Sequence, residues 1–149
     1  MKRKRTSYEM IFNEFKDKIT DPDLLLFSQS LQVAILVSYM NKAIVKCNRI
    51  VKDIVDLSLR SDEVLTFDVE IPVEVIDIIT EWMIVFWLQP YVNNIENLRN
   101  NISTKDFSHF SPANLLEKIG DRYDTARKNA RNLTNEYSFI IADMKELKV

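Results

Sequence analysis

The chain has 149 residues, 46% of them hydrophobic and 28% charged, with a net charge of −2. That is a globular composition of one-domain size. It excludes a disordered chain and gives no overall basic excess for coating DNA. Single glycine, histidine and cysteine residues (Gly120, His109, Cys47) leave little for hairpin turns or phosphate-cradling loops, no intrachain disulfide and no ordinary zinc site.

The first element is a helix from about Ser7 to Lys18. Tyr8, Ile11, Phe12, Phe15 and Ile19 recur at spacings of three and four, which makes one apolar stripe. Thr6 or Ser7 caps it, and Thr20-Asp21-Pro22-Asp23 ends it. The basic start, MKRKR, is followed by no apolar run and does not read as a signal peptide. Lys2 to Arg5 either touch phosphates or form a solubilising terminus.

A second helix starts near Ser28 or Ser30 and runs to about Ile54, with Val33, Leu36, Val37, Met40, Ile44, Cys47 and Val51 in helical period. Residues 58–70 are acidic and irregular. Leu65, Phe67, Val69 and Ile71 alternate with polar residues, as a short strand does, or a loop pinned by Phe67. Residues 53–81 hold nine acids against Arg60 alone, while residues 1–18 hold six basic residues against three acids. Charge separated in this way marks surfaces with different neighbours.

A third helix opens at Pro72 and is apolar on nearly every side from Trp82 to Leu88, the pattern of a helix buried centrally or at an interface. Trp82, Phe86 and Trp87 are therefore assigned to the core or to a subunit interface. The densest apolar run, Met83 to Leu88, is six residues, well short of the roughly 20 that span a bilayer. Pro90 breaks or kinks the helix, and a short continuation from Tyr91 to about Asn100 follows. Glu74, Asp77 and Glu81 share one face, either as a cation-holding cluster or, more simply, as the wet side of an amphipathic helix.

After a polar loop from Asn100 to His109, Ser111 and Pro112 mark the start of the last helix, with Phe110 and Leu115 or Leu116 as a hydrophobic staple. Leu115, Ile119, Tyr123, Ala126, Ala130, Leu133 and Tyr137 form a narrow, nearly heptad seam. Tyr123 joins the core or interface set. Ser138 to Ile141 is expected to leave the helix and begin a tail that is apolar at Phe139, Ile140, Ile141, Met144, Leu147 and Val149. His109, beside Asp106 and Ser108, is the one candidate base, and a solvated loop histidine is the simpler reading. Nucleotide-binding glycine patterns are absent, so neither catalysis nor a cofactor is expected.

Three stretches have a familiar order: EWMIVFWLQPYVNNIENLRN at 81–100, STKDFSHFSPANLL at 103–116 and EYSF at 136–139. Together they resemble the head–tail connector, or adaptor, proteins of tailed bacteriophages. The matching marks are the W-L-x-P helix ending, the N-rich continuation, the F-S-P-A-N-L-L cap and the Tyr-bearing end of the last helix, over roughly residues 71–141.

The resemblance implies a structural virion protein at the neck, made in the host cytoplasm. It would act as a homo-oligomeric ring, usually of twelve copies, beneath the portal protein. Such a ring joins head to tail, meets tail or stopper proteins, passes genomic DNA without sequence specificity and touches no membrane. The expected fold is all-α: one domain of four main helices over residues 1–137, an irregular acidic loop, and an extended C-terminal tail, 138–149. In such adaptors the C-terminal segment reaches the portal, which assigns that contact to Phe139, Ile140, Ile141, Met144, Leu147 and Val149. Asp62, Glu63, Asp68 and Glu70 are the candidate channel-lining acids, which would repel DNA. The alternative is a small helical DNA-binding or regulatory protein using Lys2 to Arg5 and Arg122, Arg127, Lys128 and Arg131. Against it, residues 105–149 hold eight basic residues but also seven acidic ones.

Overall fold

The computed structural model describes residues 4–19, 27–101 and 112–147, with the side chains of 95–101 and 112–116 left out of the description. The chain is all-α, built on four helices: α1 (Tyr8–Lys18), α2 (Gln29–Val51), α3 (Val73–Asn101) and α4 (Pro112–Leu147). Three two-residue strands, β1 (Thr6–Ser7), β2 (Arg60–Ser61) and β3 (Thr66–Phe67), make a small antiparallel sheet in the order β1-β3-β2.

The helix starts follow local chemistry. The Ser7 hydroxyl accepts from the Glu9 amide at 3.2 Å and caps α1, and the Ser28 hydroxyl accepts from the Leu31 amide at 3.4 Å and caps α2. Thr6, the other candidate cap, instead accepts the Ile71 amide at 2.9 Å. Pro72 lies one residue before α3, where its carbonyl accepts the Val75 and Ile76 amides. Pro112 is the first residue of α4. The expected cap Ser111, the Phe110 staple and the Thr20–Asp23 stop fall outside the described residues.

Three expectations are corrected. Helix α2 stops at Val51 rather than Ile54, because the Asn48 side chain turns to accept the Leu57 amide at 3.0 Å and the chain leaves through a turn. Pro90 does not break α3, which runs unbroken through it to Asn101. The ring leaves the Phe86 carbonyl without its usual helical donor, on an exposed side where water can replace it. Residues 138–147 are not an extended tail: α4 continues through Ser138 to Leu147, and the last two residues of the expected tail fall outside the described residues.

Helix α3 is the centre, packed against α4, α2 and α1. Val75, Ile78, Ile79, Met83, Ile84, Val85 and Leu88 are buried around its whole circumference. Tyr8, Ile11, Phe15, Leu36, Met40, Cys47, Val51, Leu57 and Phe67 complete the core. Helix α4 contributes Ala126 and Ala130, small residues that let it approach α3 closely, with Tyr123, Leu133 and Tyr137 packed beside them.

The acidic segment is both of the things its pattern allowed. It holds strand β3, and it is pinned by Phe67, which is fully buried with its ring 4.9 Å from that of Tyr8. The hairpin between β2 and β3 turns without glycine. Leu65 takes the left-handed conformation instead, at φ 58°, a strained state for a side chain of that size.

Candidate functional site

The end of α4 is one of the places where the fold leaves apolar side chains exposed, along with Met10, Val45, Val64 and Val73. Ile141 is buried and extends the α4 seam by one further turn. Of the five described residues assigned to partner contact it is the exception, because it packs on its own bundle. Phe139, Ile140, Met144 and Leu147 are 72%, 51%, 44% and 86% exposed, too open to serve the core. Val149 lies outside the described residues.

At 100° per residue, Ile140, Met144 and Leu147 form one stripe beside the buried seam, whereas Phe139 lies on the opposite, outward side. Tyr137 sits by the first turn of α3: burial raises the pKa of its phenol, and the Glu74 carboxylate raises it further. Past Tyr137 the helix stays on the bundle at least as far as Ile141, which is buried. The end of α4 is tethered further on, where the Lys145 ammonium donates to the Asp53 carboxylate just after α2. That ammonium holds the Asp53 carboxyl below the usual carboxylate range.

The core or interface set divides. Trp82 is buried, and its indole N–H donates to the Thr134 hydroxyl at 3.0 Å. That hydroxyl in turn donates to the Ala130 carbonyl at 2.7 Å. Phe86, Trp87 and Tyr123 are only half-buried against the core. Trp87 meets Phe15 and Tyr91 edge-on, and Arg127 stacks over Tyr123 at 5.6 Å.

Three of the four candidate channel acids are engaged within the chain. Asp62 accepts from the Tyr8 phenol at 2.6 Å and the Asn41 amide at 3.3 Å, and burial together with this carboxylate pushes the phenol's pKa up. Asp68 pairs with Arg5 at 3.8 Å and Glu70 with Lys4 at 3.7 Å. Glu63 is exposed. The basic start and the acidic hairpin, opposed in the sequence, are thus neighbours in the fold.

The carboxylate face of α3 does hold a cation, and it is one of the chain's own. The Lys18 ammonium reaches Asp77, Glu81 at 3.1 Å and the Thr80 hydroxyl at 2.9 Å. Among the described residues no cluster of His, Cys, Asp and Glu is arranged to hold a metal ion. His109 lies outside them. Burial pushes the Cys47 thiol up to about 12, so it is no nucleophile in the folded chain.

Sequence reasoning missed Lys18 and Thr134 as partners. Lys18 carried a weak signal, as a cation ending a helix in a chain with an acidic helical face. Thr134 carried none.

By length and composition the Val73–Asn94 segment, with mean hydropathy 1.3, reaches the range of a membrane span, further than its six-residue apolar run suggested. Here it is the central helix, with 56% of its 18-residue apolar window buried, packed against α1, α2 and α4. Compared with protein families, curated proteins and solved structures, the chain matches none.

Proposed function

We propose that this chain is a head–tail connector of a tailed bacteriophage. It would be a structural adaptor that forms a ring below the portal, extends the DNA channel and acts by assembly rather than catalysis. The observation that carries the reading is the end of α4. The segment that stands in the place of the portal-reaching part of such adaptors carries an apolar stripe, Ile140, Met144 and Leu147, that its own chain does not cover. Burying Ile140, Met144 and Leu147 in a portal groove would supply the area they lack, in the manner of a helix seated by its i, i+4, i+7 anchors. Phe139, on the other side of the helix, is left for a different neighbour.

The pairing of Lys4 and Arg5 with Glu70 and Asp68 fits a wall that passes DNA without gripping it. It weakens the DNA-binding alternative, since two of that reading's phosphate-binding residues already have acidic partners.

The test is a binding assay with rings of the portal protein encoded beside this gene. The full chain should decorate the rings in electron micrographs. The variant Ile140→Asp/Met144→Asp/Leu147→Asp should keep its helical circular dichroism and lose the decoration. A full chain that ignores the portal, or a triple variant that binds like the parent, overturns the reading.

A further inference from the structure

Two surfaces outside the portal stripe are opposite in charge. The first is a groove of about 340 Å³ between α1 and the start of α3, lined by Met10, Glu14, Val73, Glu74, Ile76 and Asp77. Its apolar part is open, with Met10 57% and Val73 77% exposed. Glu14 and Glu74 enter none of the ion pairs of the described residues. Asp77 shares Lys18 with Glu81, so that trio keeps one negative charge and the rim as a whole is acidic.

The second surface is the outward face of α4. Arg127, Lys128 and Arg131, with Asp124 and Asn132, border a shallow hollow there. None of the three cations is ion-paired among the described residues. Counting Asp124 against them, the strip is net positive. Lys128, Asn132, Asn135 and Phe139 follow one another at helical spacing along it. Phe139 ends the strip as a lone exposed aromatic on an otherwise polar side. Beyond it the sign reverses at Asp143 and Glu146.

We infer that these two surfaces bind each other between copies of the chain, the acidic groove of one copy receiving the basic strip and Phe139 of the next. The strip lies roughly opposite the Ala126, Ala130, Thr134 and Ile141 seam, which is buried in the bundle. It therefore cannot turn onto its own groove, and a second copy can present it. Arg131 and Lys128 would face Glu14 and Glu74, and Phe139 would cover Met10 and Val73. Two different patches meeting in this way make a heterologous contact, the kind that propagates around a ring. Charge complementarity fixes its register, and the aromatic supplies burial. The inference deepens the ring of the proposed function and rests on it for its biological sense, but its test needs no portal.

The experiment is sedimentation of the purified full chain, alone and as charge-reversed variants, with circular dichroism to verify folding. The parent should self-associate at low salt, and raising the salt should weaken association about tenfold or more. Glu14→Lys/Glu74→Lys and Lys128→Glu/Arg131→Glu should each be folded and monomeric. Mixed together they should associate again, because each then offers the surface the other lost. Phe139→Ala should weaken the parent's association without abolishing its salt dependence. A parent that stays monomeric at about 100 μM in low salt, variants that associate as the parent does, or a mixture of folded variants that stays monomeric overturns the inference. Portal decoration lost through Ile140, Met144 and Leu147, with association intact, bears on the portal contact alone.

Discussion

Thr134 shows how much a single hydroxyl can carry. It is 4% exposed, accepts the Trp82 indole N–H and donates to the Ala130 carbonyl, joining α4 to α3 inside the core. Thr134→Val keeps the shape and leaves the buried indole N–H unpaired, so it should cost about 1–3 kcal/mol in a urea titration. A midpoint shift within error would show that the bond carries nothing. Trp82→Ala should cost about 3–5 kcal/mol, and Trp87→Ala less, because Trp87 is only half-buried. The apolar run at 82–88 marked both tryptophans as core or interface, but periodicity reports a face and not the depth to which a neighbour covers it. The Thr134 partnership spans 52 residues, and no local pattern encodes a contact of that length. Lys18 illustrates the same limit: the acidic face of α3 was plain in the sequence, while its counter-ion stood on another helix.

At the scale of elements, start signals were readable because they are local. Ser7, Ser28 and Pro112 mark the beginnings of three helices, as their side chains or fixed φ require. Ends were less readable. The Ser138–Ile141 run continues α4 because Ile141 falls in register with the seam and Lys145 finds Asp53, and both conditions are tertiary. The single glycine, read as a mark of scarcity, meets no backbone need either. Gly120 lies inside α4 at a negative φ, and nothing stands within 4 Å of the Cβ it lacks. Gly120→Ala should therefore stabilise the chain by about 0.8–1 kcal/mol, seen as a raised thermal midpoint. An unchanged or lowered midpoint would mean that this part of α4 does not hold its helix in solution. The residue that does occupy glycine's conformation is Leu65, at the turn between β2 and β3. Leu65→Ile keeps the volume but adds a branch at Cβ, so it should cost about 1–2 kcal/mol through the hairpin.

Across the whole molecule, the uneven charge of the sequence resolves into neighbours: Lys4 and Arg5 on the acidic hairpin, Lys18 on α3, Lys145 on the end of α2. Acid and alkali should act on different parts. The Asp53 and Asp56 carboxyls are held below their ordinary 3.8, the first by Lys145 and the second by the Ser58 hydroxyl and amide. Their contributions are present above that value and fade as pH falls below it. Acid should thus free the end of α4 before the bundle opens, seen as amide exchange rising first at residues 142–147. The alkaline limit belongs to the core. Cys47 is fully buried, and burial pushes its thiol from 9.0 to about 12 because desolvation disfavours the thiolate. Between those values the unfolded chain gives up the proton and the folded chain keeps it. Stability from this group is complete below pH 9 and falls as pH rises, by at most about 1.4 kcal/mol per unit. Cys47→Ala should lower stability at neutral pH by loss of packing, yet flatten the decline between pH 9 and 10. Parallel declines in parent and variant would show that the thiol is not what sets the alkaline edge.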